Sequence, residues 1–177
     1  TQFMSFNSLG LSDALLKAIS KKGYTTPSPI QQKAIPPILE GKDVLASAQT
    51  GTGKTAGFTL PILQILSQGK HLSHRPIRAV IFGGVNQNPQ VAQLRQGVDI
   101  LVATPGRLID LQNQGLVTLS KVEILVLDEA DRMLDIGFRP DIERILRSCP
   151  TERQTMLLSA TLPPPVEKLA QRYMVEP

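Results

Sequence analysis

Between Asp43 and Thr55 the chain passes from a short apolar run, Val44-Leu45-Ala46-Ser47, through Ala48-Gln49-Thr50-Gly51-Thr52-Gly53 to Lys54-Thr55. The spacing predicts a strand, a Gly-rich loop and a helix over 54–66, the order that a phosphate-binding loop requires. Gly51 and Gly53 permit backbone conformations closed to residues with a Cβ, so successive N–H groups can converge on phosphate oxygens. The helix N-terminus adds about half a positive charge at the same spot. Lys54 would reach the β- and γ-phosphates, and the Thr55 hydroxyl would ligate Mg2+. The strict motif has Gly where this chain has Ala48, and a Gly-rich surface turn with a solvated lysine is the plain alternative.

Composition narrows the setting. At 177 residues the chain can bury the core of one domain. No apolar run approaches the ~18 residues of a membrane span, and no signal-peptide pattern opens the sequence. Cys149 stands alone, which excludes an internal disulfide framework and leads us to expect a cytoplasmic protein with no membrane partner. His71 and His74 lie in a polar linker without Cys/His neighbours at metal spacing. The net charge of +4 favours a polyanionic partner, and it is unevenly spread. Residues 1–90 hold nine Lys/Arg against three Asp/Glu, whereas 91–177 hold ten against twelve. Aromatic residues are 4% of the chain and Trp is absent, which argues against a reader that stacks bases on aromatic platforms.

Taken in order, Leu11, Leu15, Leu16 and Ile19 share one helical face after Phe6, with Ser12 as N-cap and Gly23 as stop. Ser28 and Pro29 read as N-cap and first residue of a second helix, ending near Glu40 with Gly41 beyond it. From spacing alone Gln31 is an ordinary first-turn glutamine and Tyr24 a loop aromatic. A strand is expected over 77–82, ending in Gly83-Gly84, then a brief helix over 89–96. A buried strand over 98–103 runs into Thr104-Pro105-Gly106-Arg107, with Pro105 at the head of a helix. A helix start beside an arginine is a serviceable phosphate site and equally an ordinary strand-to-helix turn.

Val122 to Leu127 is nearly all apolar, as a strand covered on both faces should be, and it ends in Asp128-Glu129-Ala130-Asp131. Beside a phosphate loop, Asp128 can hold Mg2+ directly or through water, and Glu129 can orient and deprotonate an attacking water. The alternative is an acidic helix start that complements the dipole. A helix around 140–149, a strand over 154–158 ending in Ser159-Ala160-Thr161, and a last helix over 166–173 complete the pattern. Apolar strands alternating with helices imply a doubly wound parallel α/β sheet, with ligands at the C-terminal ends of the strands. The clusters 48–55, 104–107, 128–131 and 159–161 all fall at such ends, which argues for one composite site.

These motifs, in this order, resemble the first RecA-like domain of a DEAD-box ATP-dependent RNA helicase over essentially all 177 residues. Asp128-Glu129-Ala130-Asp131 spells the family name, and Ala48 to Thr55 matches its form of the phosphate loop, alanine included. Phe6, Gly23-Tyr24 and Pro29-Ile30-Gln31 resemble the family's Q motif, about 4–32. Ala56-Gly57-Phe58-Thr59-Leu60-Pro61 and Asp131-Arg132-Met133-Leu134-Asp135 resemble the bacterial RhlE-type branch. The resemblance implies that ATP and Mg2+ are the cofactors, with Gln31 reading the adenine edge and Tyr24 and Phe6 packing around the base. Glu129 would be the catalytic base, and Asp128 and Thr55 the metal-side residues. Ser159 and Thr161 would bond to Asp131 and couple the nucleotide site to domain closure. Gly83-Gly84 and Thr104 to Arg107 would grip the backbone of one RNA strand, a sequence-independent contact.

Two departures follow. The resemblance implies a second RecA-like domain, carrying arginine fingers, which these residues do not include; the fragment alone is expected to be nearly inactive. The family's Pro-Thr-Arg-Glu-Leu-Ala motif, expected ahead of Gly83-Gly84, is also absent. Arg78-Ala79-Val80 resembles the start of one strand and Ile81-Phe82-Gly83-Gly84 the end of the next. Two parallel strands need a crossover of at least about a dozen residues, so a gap concealed by continuous numbering is expected near 79–82. Two other readings compete: a different P-loop ATPase, disfavoured by Gln31 and Thr104 to Arg107, and a non-catalytic RNA-binding or scaffold module, disfavoured by an intact Lys54, Asp128 and Glu129.

Overall fold

A strand with no solvent-facing side must bury every side chain and pair any polar one, and two strands of this chain meet that condition. In the computed structural model, which describes residues 5–48, 54–67, 78–82 and 100–177, Ile124–Leu127 and Gln154–Ser159 are buried at every position. Three further strands join them, giving β1 Val44–Ser47, β2 Ala79–Phe82, β3 Ile100–Ala103, β4 Ile124–Leu127 and β5 Gln154–Ser159. They form one five-stranded sheet in the order β1-β5-β4-β2-β3, and every pairing is parallel. The helices are α1 Asp13–Lys21, α2 Pro29–Leu39, α3 Lys54–Ser67, α4 Pro105–Asn113, α5 Ala130–Ile136, α6 Arg139–Ser148 and α7 Pro164–Tyr173; α3 to α6 lie in the crossovers that parallel strands need, α1 and α2 precede β1, and α7 follows β5.

Side-chain alternation along the central strands divides the core in two. Ile124, Val126, Met156 and Leu158 face Ala34 and Ile38 of α2 and Phe58 and Ile62 of α3. Leu125, Leu127 and Leu157 face the other layer, where Leu108 and Leu111 of α4, Met133 of α5, Ile142 and Ile145 of α6 and Val166 of α7 pack together. A third cluster of Phe6, Leu9, Leu11, Ile19 and Ile35 fastens the N-terminal segment onto the outer side of α2.

Helix boundaries follow the expected caps. Ser28 closes a capping box with Gln31 at the head of α2, and Gly23 and Gly41 adopt positive φ beyond the ends of α1 and α2. Polar side chains anchor the sheet's lower edge. Asp43 accepts the backbone N–H of Thr155 at 2.8 Å and of Val175 at 2.7 Å, and Gln154 donates to the carbonyls of Ile38 and Lys42, both at 2.9 Å.

Ala79–Phe82 forms one strand, bonded in register to β3 on one side and to β4 on the other. The short helix expected over 89–96, and Gly83-Gly84, lie outside the described residues. Among the described residues, no helix is long and apolar enough to cross a membrane.

Cys149 closes the α6 side of the core, and burial pushes its thiol up to about 11. The thiolate is the reactive species, so a thiol so raised should be inert while the domain stays folded. Alkylation by iodoacetamide near pH 8 should be at least about tenfold slower in native protein than in urea-unfolded protein, reckoned from the change in thiolate fraction. Equal rates would show that α6 does not seal this end of the core.

Candidate functional site

All five strands run the same way, so their C-terminal ends share one edge. Ser47 pairs with Ser159, Leu127 with Leu157, and Phe82 with both Leu127 and Ala103. At a strand spacing of about 4.8 Å, the C-terminal end of β1 lies about 10 Å from that of β4, and that of β3 about 19 Å from that of β1. The edge thus holds two zones: β1, β5 and β4 end in Ala48, in Ser159 to Thr161 and in the carboxylates, and β3 ends in Thr104 to Arg107.

The first zone is tied together by hydrogen bonds. Ala48 donates its N–H to the Ser159 carbonyl at 3.2 Å, fixing the start of the loop against β5. Ser159, fully buried, accepts the Asp131 N–H at its hydroxyl at 3.2 Å. Thr161 donates both its N–H, at 3.2 Å, and its hydroxyl, at 2.9 Å, to Asp131 Oδ2. Because α5 begins without a side-chain cap from Glu129, the Ser159 hydroxyl takes over one of the N–H groups its first turn leaves unpaired. Asp131 Oδ1 meanwhile accepts the Arg132 N–H at 2.9 Å. Burial opposes ionisation of Asp131. Hydrogen bonds from the Thr161 side chain, the Arg132 backbone, Ser159 and the Thr161 backbone outweigh it, and the carboxyl titrates below its ordinary value.

Asp128 is half-buried and accepts the Glu129 N–H at Oδ1, 2.9 Å away. Glu129 itself sits in the left-handed region at φ 52° and ψ 45°, which costs a residue with a Cβ of order 1–3 kcal/mol. Its Oε2 is buried without a hydrogen-bond partner, with the Arg132 guanidinium 3.6 Å away. A strained backbone that holds an unsatisfied carboxylate oxygen in place is an arrangement found at functional sites. Asp128 and Glu129 are hard oxygen donors, and Mg2+ binds through one or two carboxylates plus phosphate and water; the residues present fit that ion.

Gln31 is 3% exposed. Its Oε1 accepts the Ser28 N–H at 2.9 Å, and its Cγ packs toward Gly57 of α3, where an added Cβ would come within 3.6 Å. Tyr24 is exposed on the loop between α1 and α2, and Phe6 is a core residue under α2. Gln49 to Gly53 and the side chains of Lys54 and Thr55 lie outside the described residues; the described backbone of α3 begins at Lys54. In the second zone Thr104 caps α4, its hydroxyl accepting the Arg107 N–H at 3.4 Å, with Pro105 buried and Gly106 exposed. Arg107 Nη1 donates to Asp110 at 2.8 Å, and its Nε is buried without a partner. Sequence reading missed the capping-box role of Gln31, although Ser28 followed three residues later by Gln was visible. It also missed the backbone strain at Glu129, which has no local sequence signal.

A doubly wound parallel sheet with its polar residues gathered beyond the strand ends is the RecA-like class of nucleotide-binding domain. The chain belongs to the DEAD/DEAH box helicase family, whose profile matches residues 28–81 and 69–169. It is 44% identical over 98% of its length to the ATP-dependent RNA helicase CshA of Limosilactobacillus reuteri, of which it covers 40%. It is 41% identical to the ATP-dependent RNA helicase DeaD of Haemophilus influenzae, covering 33% of that protein. The crystal structure of a DEAD box protein from Methanococcus jannaschii superposes with a TM-score of 0.85 at 33% identity, over 99% of this chain and 55% of that one. The chain thus spans well under half the length of these two curated relatives. The alignment with DeaD takes in the whole chain yet runs over 203 positions against 177 residues, and the two family segments meet across 69–81. Relatives therefore carry residues with no counterpart here.

The Asp131 network makes a pH prediction. A folded-state value below the unfolded one stabilises above the unfolded value near 3.9, and the gain is lost as pH falls through the folded one. Asp131→Asn should therefore be less stable than wild type at about pH 6, and the gap should close toward about pH 2. Urea melts of both proteins across that range would check it, and a gap constant with pH would remove Asp131 as the titrating group.

Proposed function

We propose that this chain is the nucleotide-binding domain of an ATP-dependent RNA helicase, working with a second RecA-like domain to couple ATP hydrolysis to local remodelling of RNA duplexes. The observation that carries this reading is the network joining Asp131 at the end of β4 to Ser159 and Thr161 at the end of β5. It brings the acidic motif against the strand whose neighbour, β1, leads into the Gly-rich loop. An acidic β4 terminus beside a phosphate loop is the layout of a phosphoryl-transfer site.

In this reading Gln49 to Gly53 cradle the phosphates, Lys54 neutralises them, and Gln31, held by its capping box against α3, recognises adenine with Tyr24 nearby. Phe6, buried beneath α2, supports that recognition from below. Mg2+, held by Thr55 and Asp128 through oxygen and water, would supply charge neutralisation at the phosphates. Glu129 accepts the proton of the attacking water at Oε2, the oxygen that takes no hydrogen bond from the protein. Asp131, Ser159 and Thr161 transmit the state of the site to the facing domain. Gly83, Gly84 and Thr104 to Arg107 hold an RNA backbone without reading sequence. A cytoplasmic location accords with a single buried cysteine. Half of the backbone contacts would lie on the second RecA-like domain, so RNA should bind weakly to this one alone.

Two variants test the nucleotide site. Lys54→Ala should weaken ADP binding by roughly tenfold or more, since each charge-assisted hydrogen bond is worth about 1.5–3 kcal/mol; equal affinities by calorimetry would sink the assignment. Gln31→Glu keeps an acceptor for the Ser28 N–H, and so the cap, while replacing the amide by a carboxylate. It should leave α2 intact by circular dichroism yet lose preference for ADP over GDP, and unchanged preference would remove Gln31 from base recognition.

Hydrolysis and unwinding provide the third test. An arginine finger from outside the domain is worth about 10³–10⁵ in rate, so the chain alone should show negligible RNA-stimulated hydrolysis and no strand separation. Robust ATP-dependent unwinding by these 177 residues would overturn the two-domain reading.

A further inference from the structure

Away from the strand ends, the outer face of α6 gathers arginines around one carboxylate. Glu143 is 14% exposed in its side chain and has three guanidinium groups about it: Arg172 at 3.3 Å, Arg147 at 3.4 Å and Arg139 at 3.7 Å. Those arginine side chains are 54–66% exposed. Arg144, on the same face, donates from Nη2 to Asn113 Oδ1 at 2.8 Å, a neutral partner. Arg139, Pro140, Glu143, Arg144, Arg147 and Ser148 line an open cleft there. Asp141, in the first turn of α6, is not among its lining residues.

Charge decides what such a cleft can take. The lining holds three arginines against one glutamate, an excess of about two positive charges, and Arg172 stands 3.3 Å from that glutamate beside it. A carboxylate lying at the floor can pair fully with one guanidinium, and the other forks keep donors directed to solvent. Exposed pairs of this kind add little to stability, so fold energetics do not account for the cluster. Phosphate oxygens match the planar guanidinium fork, and Arg suits such recognition better than Lys. No aromatic residue lines the cleft on which a base could stack, and Pro140 is its one apolar residue.

We propose that this cleft on α6 is a second docking surface for the phosphate backbone of RNA, separate from Thr104 to Arg107. Its location favours an extended strand. Asn113, which orients Arg144, is the last residue of α4, whose first turn is that of Pro105 to Arg107. The two basic positions mark opposite ends of one nine-residue helix, about 13 Å apart by its rise. An RNA engaged at the strand ends could thus continue over α4 onto α6. This rests on the reading of the domain as RNA-binding.

The test uses the chain as it stands, with a fluorescein-labelled oligouridylate read by anisotropy over a range of KCl. The double variant Arg144→Gln/Arg147→Gln should bind at least about tenfold more weakly at low salt. Its slope of log affinity against log salt should be shallower by about 1.4, at about 0.7 per phosphate contact to a single strand. Its melting temperature should match wild type, since both side chains are on the surface. Arg107→Ala serves as the reference for the other zone. Wild type that binds no RNA even at low salt would sink both the domain reading and this cleft. Binding weakened by Arg107→Ala but unchanged in affinity and slope by the double variant would sink the cleft alone. Unchanged RNA binding with lost binding of polyglutamate would overturn it in favour of an acidic protein partner.

Discussion

Everything at the functional edge depends on β4 and β5 being buried on both faces. A strand in that position cannot pair antiparallel through a tight hairpin with its chain neighbour and still be covered on both sides by helices; it needs crossovers. Crossovers make the sheet parallel, and a parallel sheet puts every strand's C-terminal end on the same edge. Four polar clusters separated by up to a hundred residues thereby become neighbours. The apolar character of Ile124–Leu127 and of Met156 to Leu158 is thus the condition for the site, although none of these side chains takes part in it.

Within that edge, one side chain links two strands. Asp131 belongs to β4's following helix but spends its carboxylate and N–H on Thr161 and Ser159 from β5. The link also caps α5, a helix of seven residues with a left-handed, non-capping residue ahead of it. Glu129 can hold its strained backbone because the residues on either side are fixed, Asp128 by the end of a buried strand and Asp131 by β5. Local stability and a poised carboxylate thus arise from the same contacts. Thr161, at the exposed rim of the edge, is thereby tied to the acidic cluster through Asp131.

At β2, a run that resembles the start of one family element and the end of another pairs on both sides, because Ala79 to Phe82 offers an apolar run with β-branched Val80 and Ile81. The sheet's register there depends on backbone pairing and on the period of two, which these four residues satisfy.

Read alone, the sequence determined the alternation of elements, most caps and the four polar clusters, because these are local: period, Gly and Pro positions, and short motifs at strand ends. Ser28 to Gln31, Gly41, Thr104-Pro105 and the apolar run before Asp128 each announce their structure within a few residues. Strand order, the meeting of Asp131 with Ser159 and Thr161, the burial of Phe6 beneath α2, the strain at Glu129, and the approach of Arg172 to Glu143 and of Arg144 to Asn113 were decided only by tertiary structure. Each needs residues 28 or more apart in sequence, or a backbone angle imposed by neighbours on another strand. No local propensity encodes such proximity; it follows from which faces must be buried together.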